Sequence, residues 1–209
     1  MELTAWLSIL AICTLGAMSP GPSVAIIIQI TVKQGRTQGI IASVAHGVGV
    51  ACYAFLAVVG LAVALEQSPL VFRGLQLLGA AFLAYIGLMS LGIQFPKLTS
   101  DNTTDEPQTH KASSSSNSFI VGFLTSALNP KVAIFFIALF SQFVRQDADP
   151  VEKAIMASTA AIVDALWYSI VAIVVSRANV VGKFSRYGPA LQKIFGVLLI
   201  AVAIRVAWG

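Results

Sequence analysis

Met18-Ser19-Pro20-Gly21-Pro22-Ser23-Val24-Ala25-Ile26 interrupts the first apolar run of the chain, and Leu128-Asn129-Pro130-Lys131-Val132-Ala133-Ile134 interrupts the fourth. From Pro22 and from Pro130 the two stretches run alike: proline, one polar residue, then Val-Ala-Ile. Proline lacks the N–H of the helical ladder, clashes with the preceding turn, and pushes the residue before it out of the helical region. Two prolines flanking Gly21 therefore predict a broken helix rather than a bent one. Asn129-Pro130 predicts the start of a fresh half-helix, because Asn is a good N-cap and Pro a favoured first helical residue.

The solvent around these breaks follows from composition. The chain has 209 residues, of which 57% are hydrophobic and 11% charged. A charged share near a quarter is usual for soluble domains, so a water-facing surface could not be covered. A soluble enzyme is excluded, and so is intrinsic disorder, since apolar residues are in excess. The net charge of +4 is small and dispersed, with no basic cluster among aromatics to suggest nucleic acid as a partner. The lipid bilayer is the expected surrounding, and it cannot satisfy the backbone groups that a helix break frees. Each break must then face protein or a wet cavity.

Crossing a hydrocarbon core takes about 20 apolar residues. Six stretches qualify, over 3–32, 38–65, 69–95, 119–144, 153–176 and 188–208. The expectation is an all-α integral membrane protein with six transmembrane helices, the first and fourth broken. Residues 96–118 are almost wholly polar and read as a cytoplasmic linker between a first three-helix unit, 1–95, and a second, 119–209.

The two units match internally. Besides the proline stretches, Ala42-Ser43, Ala45, Val48 and Tyr53 align with Ala157-Ser158, Ala160, Val163 and Tyr168, and Leu75-Gln76 aligns with Leu191-Gln192. Three crossings insert the second copy upside down, giving inverted repeats. Such repeats are a signature of secondary transporters that alternate access around a site near the midplane. A duplication that merely builds a stable bundle is the plainer alternative.

Orientation follows from the basic residues. With the N-terminus outside, Lys33, Arg36, Lys97, Lys111, Arg177, Lys183, Arg186 and Lys193 fall on or beside cytoplasmic connections. Only Arg73, Arg145, Lys153 and Arg205 fall outside. Both termini are therefore expected on the outer side of the membrane. No Lys or Arg precedes Lys33, so the first apolar stretch reads as a retained span rather than a signal peptide.

Inverted symmetry would aim the half-helix N-termini after Pro22 and Pro130 at one central region, where their positive dipole ends favour an anionic group. Two formal charges lie mid-span, Lys131 and Asp164. Each is costly at a helix centre, so lipid exposure is excluded. They form an ion pair between helices, or a site in which Lys131 holds an anion and Asp164 takes an ammonium or a coupling proton, and a pair that opens to admit a zwitterion does both. His46 is the other titratable group mid-membrane, a packing residue or a proton relay. Gln29, Tyr53 and Tyr168 are candidate cavity liners. Cys13 and Cys52 sit in apolar runs and read as packing residues, with no metal or cofactor motif around them.

These residues resemble a known family. Met18 to Ser23, with Gln34-Gly35-Arg36 and Gly39, is similar to the first signature of the lysine exporter (LysE/RhtB) superfamily, in its homoserine- and threonine-exporting branch. Gly79 to Gly87 resembles its third-helix pattern. Gly122-Phe123-Leu124-Thr125, Leu128 to Lys131 and Ser141-Gln142-Phe143 resemble its fourth-helix signature. The resemblance spans nearly the whole chain apart from the linker. It implies a six-helix inner-membrane exporter of small amino acids, driven by protons, with Pro20, Gly21, Pro22, Asn129, Pro130 and Lys131 as functional residues. Asp164 stands where the family commonly has a fifth-helix acid. Ser23 departs from the Asn or Asp usual at its position, so its role as a ligand or cap is open.

Three other functions compete. A membrane redox enzyme needs paired thiols, and Cys13 and Cys52 are not equivalent under the repeat. A divalent-cation exporter needs several intramembrane carboxylates, and Asp164 alone qualifies. A passive channel would carry solute independently of the proton gradient. The oligomeric state stays open, a homo-oligomer included.

Overall fold

A computed structural model describes residues 1–19, 21–93, 115–145, 148–177 and 181–208. All regular structure among them is helical: α1 Leu3–Met18, α2 Pro22–Gln34, α3 Arg36–Gln67, α4 Pro69–Ser90, α5 Ser115–Ala127, α6 Pro130–Phe140, α7 Pro150–Val175 and α8 Val181–Trp208. Pro20 and residues 94–114, which include most of the expected linker, lie outside the described residues.

Helix limits follow local chemistry. Gly35, at φ +91°, ends α2 and opens α3 in one residue, a backbone region that only glycine enters freely. Ser68 and Asp149 cap α4 and α7, each followed by proline at the first helical position. The Asp149 carboxylate accepts from Glu152 N at 2.7 Å, which moves the start of α7 ahead of the expected 153. At the end of α4, Gly92 N donates to Met89 O and Ile93 N to Leu88 O, a Schellman closure that stops the helix short of 95. Two other limits differ from expectation. Helix α5 begins inside the segment read as linker, and α8 extends back through Gly188-Pro189, as membrane helices tolerate.

The first and fourth apolar runs are both broken. The axis bends by 63° between α1 and α2, and by 54° between Asn117–Ala127 and α6. Helices α3, α4 and α7 are each long and apolar enough to cross a membrane, and each bent pair meets the same test when taken as one span. Large apolar side chains such as Leu56, Leu70, Leu78, Leu128 and Leu166 point outward, a pattern suited to hydrocarbon. The chain is a multi-pass membrane protein.

Helices α3 and α7 form the centre, and small residues bring the helices together, as in other membrane bundles. Gly47 of α3 lies against Ala161 and Ala165 of α7, and Gly87 of α4 against Gly196 of α8. Gly79 of α4 meets the α6 backbone, where an added Cβ would stand 2.7 Å from Ala138 Cα. Helix α1 is moored to α7 by the Trp6 indole N–H, which donates to Thr159 Oγ1 at 3.1 Å. The Met1 ammonium pairs with Glu152 at the same end.

Gly79→Val should therefore overpack the α4–α6 contact and destabilise the protein by about 1–3 kcal/mol. Unfolding of the purified protein in detergent measures this.

Candidate functional site

Both helix breaks open onto one cavity of about 70 Å³. From the first break it is lined by Ser19, Gly21, Pro22 and Ser23, and from the second by Asn129 and Lys131. The other walls include His46 of α3 and Asp164 and Tyr168 of α7. The N-termini of α2 and α6 thus reach the same space, as the proline stretches predicted.

The two N-termini are built differently. Asn129 Oδ1 accepts from Lys131 N at 3.0 Å, and the Asn129 carbonyl accepts from Val132 N at 3.1 Å. The α6 terminus is thereby tied to its own cap. Helix α2 starts after Gly21, which has no side chain to cap it. Each terminus carries roughly half a positive charge, and Lys131 adds a full one in the same cavity.

Lys131 and Asp164 do not pair with each other. The Lys131 ammonium donates to Ser19 Oγ at 3.3 Å and lies 5.7 Å from the centre of the Phe195 ring. Asp164 Oδ2 stands 2.7 Å from His46 Nδ1, both side chains nearly out of reach of solvent. The simple ion pair considered from sequence is thus replaced by two partnerships: α3 places an imidazole beside the carboxylate, and the α1 end places a hydroxyl beside the ammonium. An ionised Asp164 takes the Nδ1–H and so sets the His46 tautomer, leaving Nε2 as the ring's acceptor. Among the described residues Nε2 has no hydrogen-bond partner. The Tyr168 ring holds the imidazole edge-on, with centroids 4.7 Å apart.

Other expected residues fall elsewhere. Tyr53 does not line the cavity. Its hydroxyl donates at 2.6 Å to the carbonyl of Ala127, the last residue of α5, and so satisfies a backbone group that the break had freed. Gln29 is also off the cavity, because seven residues carry it about 10 Å down α2 from Pro22. Pro130 shapes the start of α6 without lining the space, and Pro20 lies outside the described residues. The sequence reading gave no site role to Ser19 or to the aromatic wall of Phe135, Phe136 and Phe195, and it took Cys13, which also lines the cavity, for a packing residue. Ser19 stood within the first proline motif and could have been found there. Phe195 comes from α8 and carried no local signal. No group of three or more His, Cys, Asp or Glu side chains is placed to hold a metal ion among the described residues.

Asn129→Ala should loosen the α6 terminus and lower stability by about 0.5–2 kcal/mol, whereas Asn129→Ser or Asn129→Asp retains most of it. Thermal unfolding in detergent distinguishes the three.

Comparison with known proteins adds the lineage. The LysE type translocator model matches residues 14–209. The uncharacterized membrane protein YrhP of Bacillus subtilis is 26% identical over 207 residues, covering 95% of this chain and 97% of that protein. The leucine efflux protein of Salmonella choleraesuis is 28% identical over 193 residues, covering 90% and 87%. An uncharacterized membrane protein of Pseudomonas aeruginosa, PA4757, is 32% identical over 129 residues, covering 60% of this chain and 57% of its own length. No solved structure gives a significant match. With a family model matching from Thr14 to the last residue, the chain belongs to the LysE type translocator family.

Proposed function

We propose that this protein is a secondary transporter, not an enzyme, that exports small amino acids of the homoserine, threonine or leucine kind across the bacterial inner membrane. Export is coupled to protons by antiport and proceeds by alternating access. The observation that carries the reading is the single cavity in which two half-helix N-termini, Lys131 and the His46–Asp164 pair meet. A zwitterion has the matching chemistry. Its carboxylate suits Lys131, Ser19 and the dipole ends of α2 and α6, with Gly21, Pro22, Ser23, Asn129 and Pro130 shaping that wall. Its ammonium competes with the His46 imidazole for Asp164. Bound substrate and bound proton then exclude each other at one carboxylate, which is the requirement for antiport.

The architecture in this reading is six spans in two inverted three-helix repeats. The first unit is 1–95, with α1–α2 as its broken span, and the second is 119–209, with α5–α6 as its broken span. Residues 96–118 form the cytoplasmic connection, and both termini are periplasmic. The leucine efflux relative supports export as the direction. A site between inverted repeats supports alternating access over a passive channel.

Uptake of labelled amino acids into inverted membrane vesicles, with and without a proton gradient, tests the proposal. Gradient-dependent accumulation of at least one amino acid is expected, and its absence across the panel would sink the reading. Lys131→Ala should reduce uptake at least 100-fold while the protein stays inserted, and normal uptake in that variant would remove the anion site. Asp164→Asn should abolish gradient-driven accumulation; an unchanged pH dependence in that variant would exclude Asp164 as the proton carrier.

A further inference from the structure

The central cavity has a neighbour. A larger groove of about 310 Å³ runs between α1 and α8, lined among others by Ser8, Leu15, Gln142, Leu198 and Arg205. Phe195 is the one residue common to the linings of both spaces. The groove extends toward the end of the bundle where Met1 pairs with Glu152 and Arg73 donates to the Ala207 carbonyl at 3.0 Å.

Size makes the partition matter. Small-molecule pockets usually measure roughly 300–1,000 Å³. At about 70 Å³ the central cavity is far below that range, and only joined to the groove does it reach it. The Phe195 side chain is 5% exposed and packs with Ala80, Leu83, Ala138 and Leu199, its ring facing the Lys131 ammonium. One side chain therefore stands between the site and the wider space.

The groove is apolar except for the donors it carries. Gln142 Nε2 is buried without a hydrogen-bond partner, a cost that calls for an acceptor. Arg205 lines the same groove, with no ion pair among the described residues. A lipid tail has no use for two donors, whereas a solute with an apolar side chain and a carboxylate uses both surfaces.

We propose that Phe195 is the gate between the central site and this groove, and that the groove is a second subsite that receives the solute's carboxylate at Gln142 and Arg205 on its way out. The role assigned to the solute rests on the amino-acid export reading, but the gate is testable without it. In a Cys52→Ala background, Cys13 in the central cavity is the only thiol of the chain. A membrane-impermeant methanethiosulfonate is added to the face bearing Arg205, periplasmic in the proposed orientation, and separately to the opposite face. Phe195→Ala should raise the rate of Cys13 modification from the Arg205 face at least tenfold, with Phe195→Leu intermediate and Phe195→Trp below wild type. The rate from the opposite face should not change. Unchanged rates in both Phe195→Ala and Phe195→Leu, each inserted at wild-type levels, would overturn the gate, as would a rise from the opposite face.

For the subsite, Leu198→Cys in a background lacking both native cysteines should react at least fivefold faster with a sulfonate-bearing reagent than with a trimethylammonium-bearing one. Arg205→Gln should erase that preference. Equal rates, or no reaction with either reagent as in a lipid-filled groove, would overturn the subsite. Because modification requires no amino-acid flux, labelling that behaves as stated without transport would refute the export reading and leave the gate standing.

Discussion

A backbone amide or carbonyl without a partner in hydrocarbon costs several kcal/mol, and a broken helix creates several such groups at once. The rest of this structure is arranged around that constraint. Two breaks in one chain have to be buried against protein, and both pack on α3: the first lies between α3 and α7, the second between α3 and α4. Tyr53 reaches across to the last carbonyl of α5, and Asn129 closes the first N–H of α6 with its own side chain. What is left facing the cavity is the positive end of two helices. The site is the residue of a solvation problem, with charged side chains recruited to it.

Those charged side chains are held apart on purpose-built partners. Lys131 leans on the Ser19 hydroxyl, a neutral group that leaves its charge available, while Asp164 is engaged by His46. Had the two opposite charges met directly, they would have neutralised each other, and an anion would have had to break the pair before binding. Separation leaves an ammonium on one wall of the cavity and a carboxylate–imidazole pair on the other. Small residues make this separation feasible. Gly47 follows His46 in sequence and lets α3 approach α7 closely, which brings the imidazole within 2.7 Å of the carboxylate.

Much of the fold was legible in the sequence because the signals were local. The prolines at 22 and 130 start helices, Asp149-Pro150 starts another, and runs of apolar residues mark the long helices. Where boundaries shifted, a local motif explains the shift: the Asp149 cap lengthens α7, and the Schellman turn at Gly92 shortens α4. The candidate site was legible in part for the same reason. Gly21, Pro22, Ser23, Asn129, Lys131, Asp164, His46 and Tyr168 all reach the cavity. Gln29 does not, since helical rise carries it about two turns beyond the first break, and Tyr53 does not, since its hydroxyl is spent on the Ala127 carbonyl at the second.

The sequence by itself determined that the chain lives in lipid, that two of its helices are broken, and which polar groups lie too deep to face hydrocarbon. These follow from composition and backbone chemistry, which act within a few residues. Only the tertiary structure decided which groups meet. That Asp164 takes His46 rather than Lys131, and that Phe195 of the last helix stands over the Lys131 ammonium, depends on how four helices, α3, α6, α7 and α8, cross. Helix crossings are set by the packing of many small residues at once, and no single stretch of the chain encodes them.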